Sequence, residues 1–147
     1  MPVLIIDNEN RPQLAQILAE DGWVVACLCA AWCGSCREYQ TSFTALAHRH
    51  PDTRFVWIDI EDQADLMDDL DVDNFPTLLI QRGQIVTFLG PVELDLRLAE
   101  RIFLAQHTKN PAELAADAFS TAERRKWQSN GNLVLRLQNS ASKMSAE

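Results

Sequence analysis

Residues 23–30, WVVACLCA, are apolar without alternation, and this run most constrains the fold. A strand with one wet face alternates apolar and polar side chains. A run that does not alternate fits a strand covered on both faces, as in the middle of a parallel sheet. The chain must then supply a layer for each side. PVLII (2–6) and RFVWIDI (54–60) are further strand-like runs. Between them, Leu14, Ile17 and Leu18 repeat at helical spacing, with Pro12 in the first turn and Gly22 at the end. After Cys36, the apolar positions Tyr39, Phe43, Leu46 and Ala47 form a second helical stripe that stops near His50-Pro51.

Downstream, EDQADLMDDL (61–70) reads as a short acidic helix. PTLLIQ and QIVTFLG flank Arg82-Gly83 as a hairpin. VELDLRLAERIFLAQ (92–106) reads as a helix with Leu94, Leu98, Ile102 and Ala105 on one face. The order β-α-β-α-β-α-β-β-α predicts an α/β fold, with a central mixed β-sheet flanked by helices on both faces. Composition shifts after His107. Residues 1–107 read as one domain and 108–138 as a helical C-terminal extension. That extension carries two capping-box patterns, Asn110 with Glu113 and Ser120 with Glu123; residues 139–147 read as a disordered tail.

Bulk properties remove several function classes. The chain has 147 residues, 47% of them apolar, enough for a core at this length. A net charge of -8 argues against a nucleic-acid partner, because phosphate binding needs basic surface. The run Trp23 to Cys33 is too short to span a bilayer, so no membrane role is expected. MPVLIIDNEN lacks the basic start of a secretory signal, and with Met1 as the natural start the expected location is cytoplasmic. Thiols are kept reduced there, which disfavours a structural disulfide.

The chemistry lies in AAWCGSCRE (30–38). Cys33 falls at the strand-to-helix junction and Cys36 in the first helical turn. The unpaired N–H groups and positive dipole end at a helix start stabilise a thiolate, and the thiolate is the nucleophile. Cys33 would attack a substrate disulfide, and Cys36 would then attack Cys33 and release the reduced substrate. The C-x-x-C pair gains weight from its place after a buried strand in a βαβ pattern. Pro76, at the start of a later strand in NFPTLLI, supplies a distant partner: it cannot donate to a ladder and suits a tight turn.

AAWCGSC resembles the W-C-G-P-C motif of the thioredoxin family, FPTLLI its proline segment, and FLG (88–90) the loop before its last helix. The resemblance covers residues 2 to 107. It implies the thioredoxin fold and dithiol–disulfide exchange with no bound cofactor. By matching positions, Cys33 resembles the family's nucleophile and Cys36 its resolving thiol. Trp32, Phe75, Pro76 and Gly90 match the groove that holds the substrate chain. The partners implied are disulfide-containing client proteins and a flavoprotein disulfide reductase as electron donor.

Three departures stand out. Ser35 replaces the motif proline and loosens the turn. Cys27 stands where the family has a buried aspartate, and Trp57 where that aspartate has a lysine partner. The tail after His107 lies outside the family core. Ser35 and Cys27 are thus the expected redox-tuning residues. Milder readings stand beside these. Cys27 and Cys29 pack as small hydrophobes, or Cys27 bonds with Cys36 during oxidation. Four cysteines in ten residues match a zinc ligand count, but wrapping all four round one ion would distort the buried strand, so no metal is expected. The acidic stretch 59–73 reads as a solvated face, His48, His50 and His107 as ordinary surface or helix-end residues, and Phe119 and Trp127 as packing the tail on the body. The alternative to an enzyme is a binding or assembly module that uses the groove and the extension.

Overall fold

The structure, a computed structural model, describes residues 3–30, 34–67, 76–91 and 96–145. Five strands form one sheet: β1 (Leu4–Ile5), β2 (Trp23–Cys29), β3 (Arg54–Asp59), β4 (Thr77–Arg82) and β5 (Ile85–Pro91). Their order is β1-β3-β2-β4-β5. β1, β3 and β2 run parallel, and β4 and β5 add the antiparallel pairs expected of the hairpin. The helices are α1 (Arg11–Ala19), α2 (Gly34–Arg49), α3 (Ala64–Met67), α4 (Leu96–His107), α5 (Pro111–Ala118), α6 (Ala122–Lys126) and α7 (Leu133–Ser145), with a π-helical turn at Trp127–Gly131.

β2 is covered on both sides, as its composition requires. Side chains alternate across a strand. Val25, Cys27 and Cys29 therefore join one core with Phe55 and Trp57 of β3, under α2 and α4. Val24, Ala26 and Leu28 join the other, under α1, α3 and α7. The α2 stripe is as expected: Cys36, Tyr39, Phe43, Leu46 and Ala47 are all buried. Phe43 lies edge-on to Phe55 and Trp57, with ring centroids 5.4 and 5.8 Å away.

The ends of elements correct several readings. On α4 the fully buried residues are Ala99 and Phe103, whereas Ala105 of the expected stripe is exposed and Leu94 lies outside the described residues. Gly22 is not the left-handed residue that ends α1. Asp21 takes that role at φ 62°, and Gly22 N–H donates to the Ile17 carbonyl at 3.0 Å. Gly83 in the hairpin has φ 55° and lies so close to Asp21 that a Cβ would sit 2.5 Å from its carboxylate oxygen. His50 is half-buried, bonded to Glu100 at 2.8 Å, and joins the end of α2 to α4.

The tail departs most from expectation. The Asn110–Glu113 capping box forms. The second cap is Thr121, whose side chain accepts from Arg124 N–H, because the Ser120 hydroxyl donates back to the Asp117 carbonyl. Trp127 packs on Phe88, but Phe119 is 60% exposed and does not dock the tail. Helix α7 continues to Ser145, through residues read as a disordered tail. Leu133 and Leu137 bury against the sheet and α1, and the Ser140 hydroxyl accepts from buried Arg11 at 2.7 Å.

Candidate functional site

Three sulfurs meet where β2 ends and α2 begins. Cys27 and Cys29 share a face by strand alternation, and α2 crosses that face with Cys36 in its first turn. Cys29 is bonded to Cys36, with their Cα atoms 5.8 Å apart, a separation that suits a disulfide. Cys27 Sγ lies 3.5 Å from Cys29 Sγ. All three are at most 1% exposed. The Ile60 N–H donates to the Cys29 carbonyl at 2.8 Å and fixes the end of β2. Cys27 is the free thiol among the described cysteines. Its burial pushes its pKa far above the ordinary thiol range, so it carries its proton at neutral pH.

Around these sulfurs the sheet gathers other residues singled out in the sequence. Pro76 is buried and directly precedes β4. The last β2–β4 pair is Leu28 with Thr77, so continuing the register sets Pro76 beside Cys29. Gly90 pairs with Leu78 on β5, and a Cβ there would meet the Phe88 ring at 3.4 Å. Cys36, Pro76 and Gly90 thus occupy the same end of the sheet. Ser35 lies in the first turn of α2. Trp57, the register partner of Cys27 on β3, is buried. Cys33, Trp32 and Phe75 lie outside the described residues.

The partner of Cys36 is the residue that sequence reasoning missed. In the sequence Cys29 reads as core packing, and Cys27 as the upstream thiol able to reach Cys36. Alternation already placed Cys27 and Cys29 on one face. What chose between them was the height at which α2 crosses β2. Of the acidic stretch 59–73, residues 68–73 lie outside the described residues; at its start Asp59 Oδ1 accepts from the Glu61 and Asp62 N–H groups at 2.9 and 3.1 Å and caps the turn after β3. Among the described residues no helix is long and apolar enough to cross a membrane.

Comparison with known proteins places this arrangement. The family model for thioredoxin matches residues 4–98. Rice Thioredoxin H5 (Oryza sativa subsp. japonica) is 31% identical over 97 residues, 64% of this chain and 72% of that protein. The mitochondrial Thioredoxin-3 of Saccharomyces cerevisiae is 28% identical over 78 residues, 52% of this chain and 61% of that one. A Streptomyces coelicolor relative is likewise matched over 61% of its length, so the chain spans about three-fifths of these two proteins. In three dimensions a poplar thioredoxin h superposes with a TM-score of 0.66 at 20% identity, over 75% of this chain and all of that one. The chain belongs to the thioredoxin family, and the mixed sheet with helices on both faces is the thioredoxin fold.

Proposed function

We propose that the protein is a thiol–disulfide oxidoreductase that reduces protein disulfides through Cys33 and Cys36. The observation that carries this is the placing of Cys36 in the first turn of α2, at the sheet end that also holds Pro76, in a chain of the thioredoxin family. The helix start favours the thiolate form of a cysteine beside it, and Cys33 directly precedes α2. Cys33 attacks a client disulfide and forms a mixed disulfide. Cys36 then attacks the Cys33 sulfur, releases the client thiol and leaves an internal disulfide. Trp32, Phe75, Pro76 and Gly90 are the residues that bind the client chain in this reading. Pro76 has no backbone N–H, so that position cannot donate to a client strand.

Ser35 and Cys27 set the redox character. With Cys27 held protonated and apolar neighbours around it, the carboxylate that would move a proton to Cys36 is replaced by a thiol. Clients are disulfide-containing proteins, and a flavoprotein disulfide reductase returns the pair to the dithiol in the cytoplasm. Residues 108–145 serve as a structural extension of the 1–107 domain. Insulin-disulfide reduction with a small dithiol as electron source tests the reading. Activity should vanish in Cys33→Ser; activity that survives the change sinks the assignment.

A further inference from the structure

The cysteine that faces Cys36 in the core is neither the proposed nucleophile nor the residue at the family's acid position. We propose that Cys29 is a second resolving thiol, which takes over Cys36 and converts the Cys33–Cys36 disulfide into a buried Cys29–Cys36 disulfide. This rests on the exchange activity proposed above. The geometry suits it: the Cα atoms of Cys29 and Cys36 are 5.8 Å apart, both side chains point into one core, and the Ile60 hydrogen bond holds the Cys29 backbone in place.

The step balances without a new oxidant. The client disulfide removes two electrons from the Cys33–Cys36 dithiol. Cys29 then attacks Cys36 Sγ as a thiolate. A Cys29–Cys36 bond forms, the Cys33–Cys36 bond breaks, and Cys33 leaves as the thiolate. The proton given up by Cys29 is returned to the chain or solvent, and the redox state of the chain does not change. In this form the chain stores the two-electron oxidation as a buried disulfide while Cys33 stays a free thiol. With Cys29 and Cys36 each 1% exposed, a macromolecular reductant has no direct approach to that bond. Reduction therefore runs back through Cys33, whose thiolate attacks Cys36 and expels Cys29. The Cys27 S–H, 3.5 Å from Cys29 Sγ, donates to the departing thiolate.

The test oxidises the reduced full-length chain with one equivalent of diamide, labels it in the folded state with N-ethylmaleimide, and maps the disulfides by mass spectrometry without reduction. The expected product is a Cys29–Cys36 cross-link with maleimide on Cys33. A Cys33–Cys36 cross-link alone, with Cys29 labelled only after unfolding, overturns the proposal. In Cys33→Ser the Cys29–Cys36 bond should form much more slowly; formation at the wild-type rate shows a purely structural disulfide and also overturns it. In Cys29→Ala the disulfide should move wholly to Cys33–Cys36, with loss of the Cys33 label. If that variant does not fold, the wild-type map and the Cys33→Ser rate still decide. Cys27→Ala should slow re-reduction, and Cys27→Ser, which keeps a donor, should restore it; equal slowing by both removes the hydrogen-bond role. Insulin reduction is scored separately. A wild type that reduces insulin yet maps only as Cys33–Cys36 loses the handover alone. One that maps as Cys29–Cys36 but leaves insulin intact loses the client-reduction reading alone.

Discussion

Under α2 and α4, the sheet meets sulfur and aromatic rings: Cys27, Cys29 and Cys36 beside Tyr39, Phe43, Phe55 and Trp57. Under α1, α3 and α7, it meets aliphatic side chains and a set of buried polar bonds that tie in the tail. Gln81, fully buried on β4, donates to Asn132 Oδ1 at 2.8 Å and accepts from the Leu133 N–H at 2.8 Å. Arg11 donates to Gln63, Asp65 and Ser140. Along β5, the Gln128 side-chain amide pairs with both backbone groups of Val86, at 2.9 and 2.7 Å, and so occupies that sheet edge. The first face places Cys27, Cys29 and Cys36 through apolar packing and backbone hydrogen bonds. The second needs partners far along the chain, because a buried amide or guanidinium without them is costly.

The sharpest way to break this contrast is to remove residues 110–147. Leu14, Leu18 and Leu79 then lose Leu133 and Leu137 as cover, and Gln81 loses its partners in the tail. The expected outcome is loss of cooperative thermal unfolding by circular dichroism; a truncated domain with a sharp two-state transition would show that the first face suffices. Next comes Phe43→Ala, which empties the centre of the aromatic face and should lower stability by about 3–5 kcal/mol in urea unfolding. A much smaller loss would show that Phe55 and Trp57 close over the gap.

Gln81→Leu keeps volume but strands the Leu133 N–H and removes one bond from the Asn132 side chain, which keeps those to the Gln84 carbonyl and the Val134 N–H. It should cost about 1–3 kcal/mol. Combined with Asn132→Leu the losses should fall short of the sum, because the two residues share one bond; full additivity would separate them.

The smallest effect is expected from acid. The Arg11 guanidinium bonded to Asp65 holds that carboxyl down at about 2. A carboxyl lowered on folding adds stability above its ordinary value, and that contribution fades as pH falls from about 4 through 2. Asp65 is 56% exposed, so solvent screens the pair and the effect is modest. Comparing wild type with Asp65→Asn, the stability gap should narrow over that pH range. A gap that stays constant would mean that Arg11 is held by Gln63 and Ser140 alone.

Much of the first face was legible in order. WVVACLCA announced a doubly covered strand, the 36-39-43-46-47 stripe gave α2, and Arg82-Gly83 gave the hairpin, since local periodicity reports local burial. The tail was not. Leu133 and Leu137 have the spacing of a helix, but QNSASKMSAE is polar, and Arg11 and Asp65, both distant in sequence, account for the buried Ser140. Polar residues satisfied by remote partners look like disorder when the partner is out of view.

The cysteines divide along the same line. The sequence by itself determined the motif and its place between a buried strand and a helix; a thiol at Cys27 in place of a carboxylate is what the family resemblance implies. It also put Cys27 and Cys29 on one face, because the strand period is two. Which of them meets Cys36 depends on where α2 lands along β2. That is set by the packing of Tyr39, Phe43 and Leu46 against strands from several parts of the chain. Tertiary structure chose Cys29, and with it turned a residue read as core filler into a candidate third member of the exchange site.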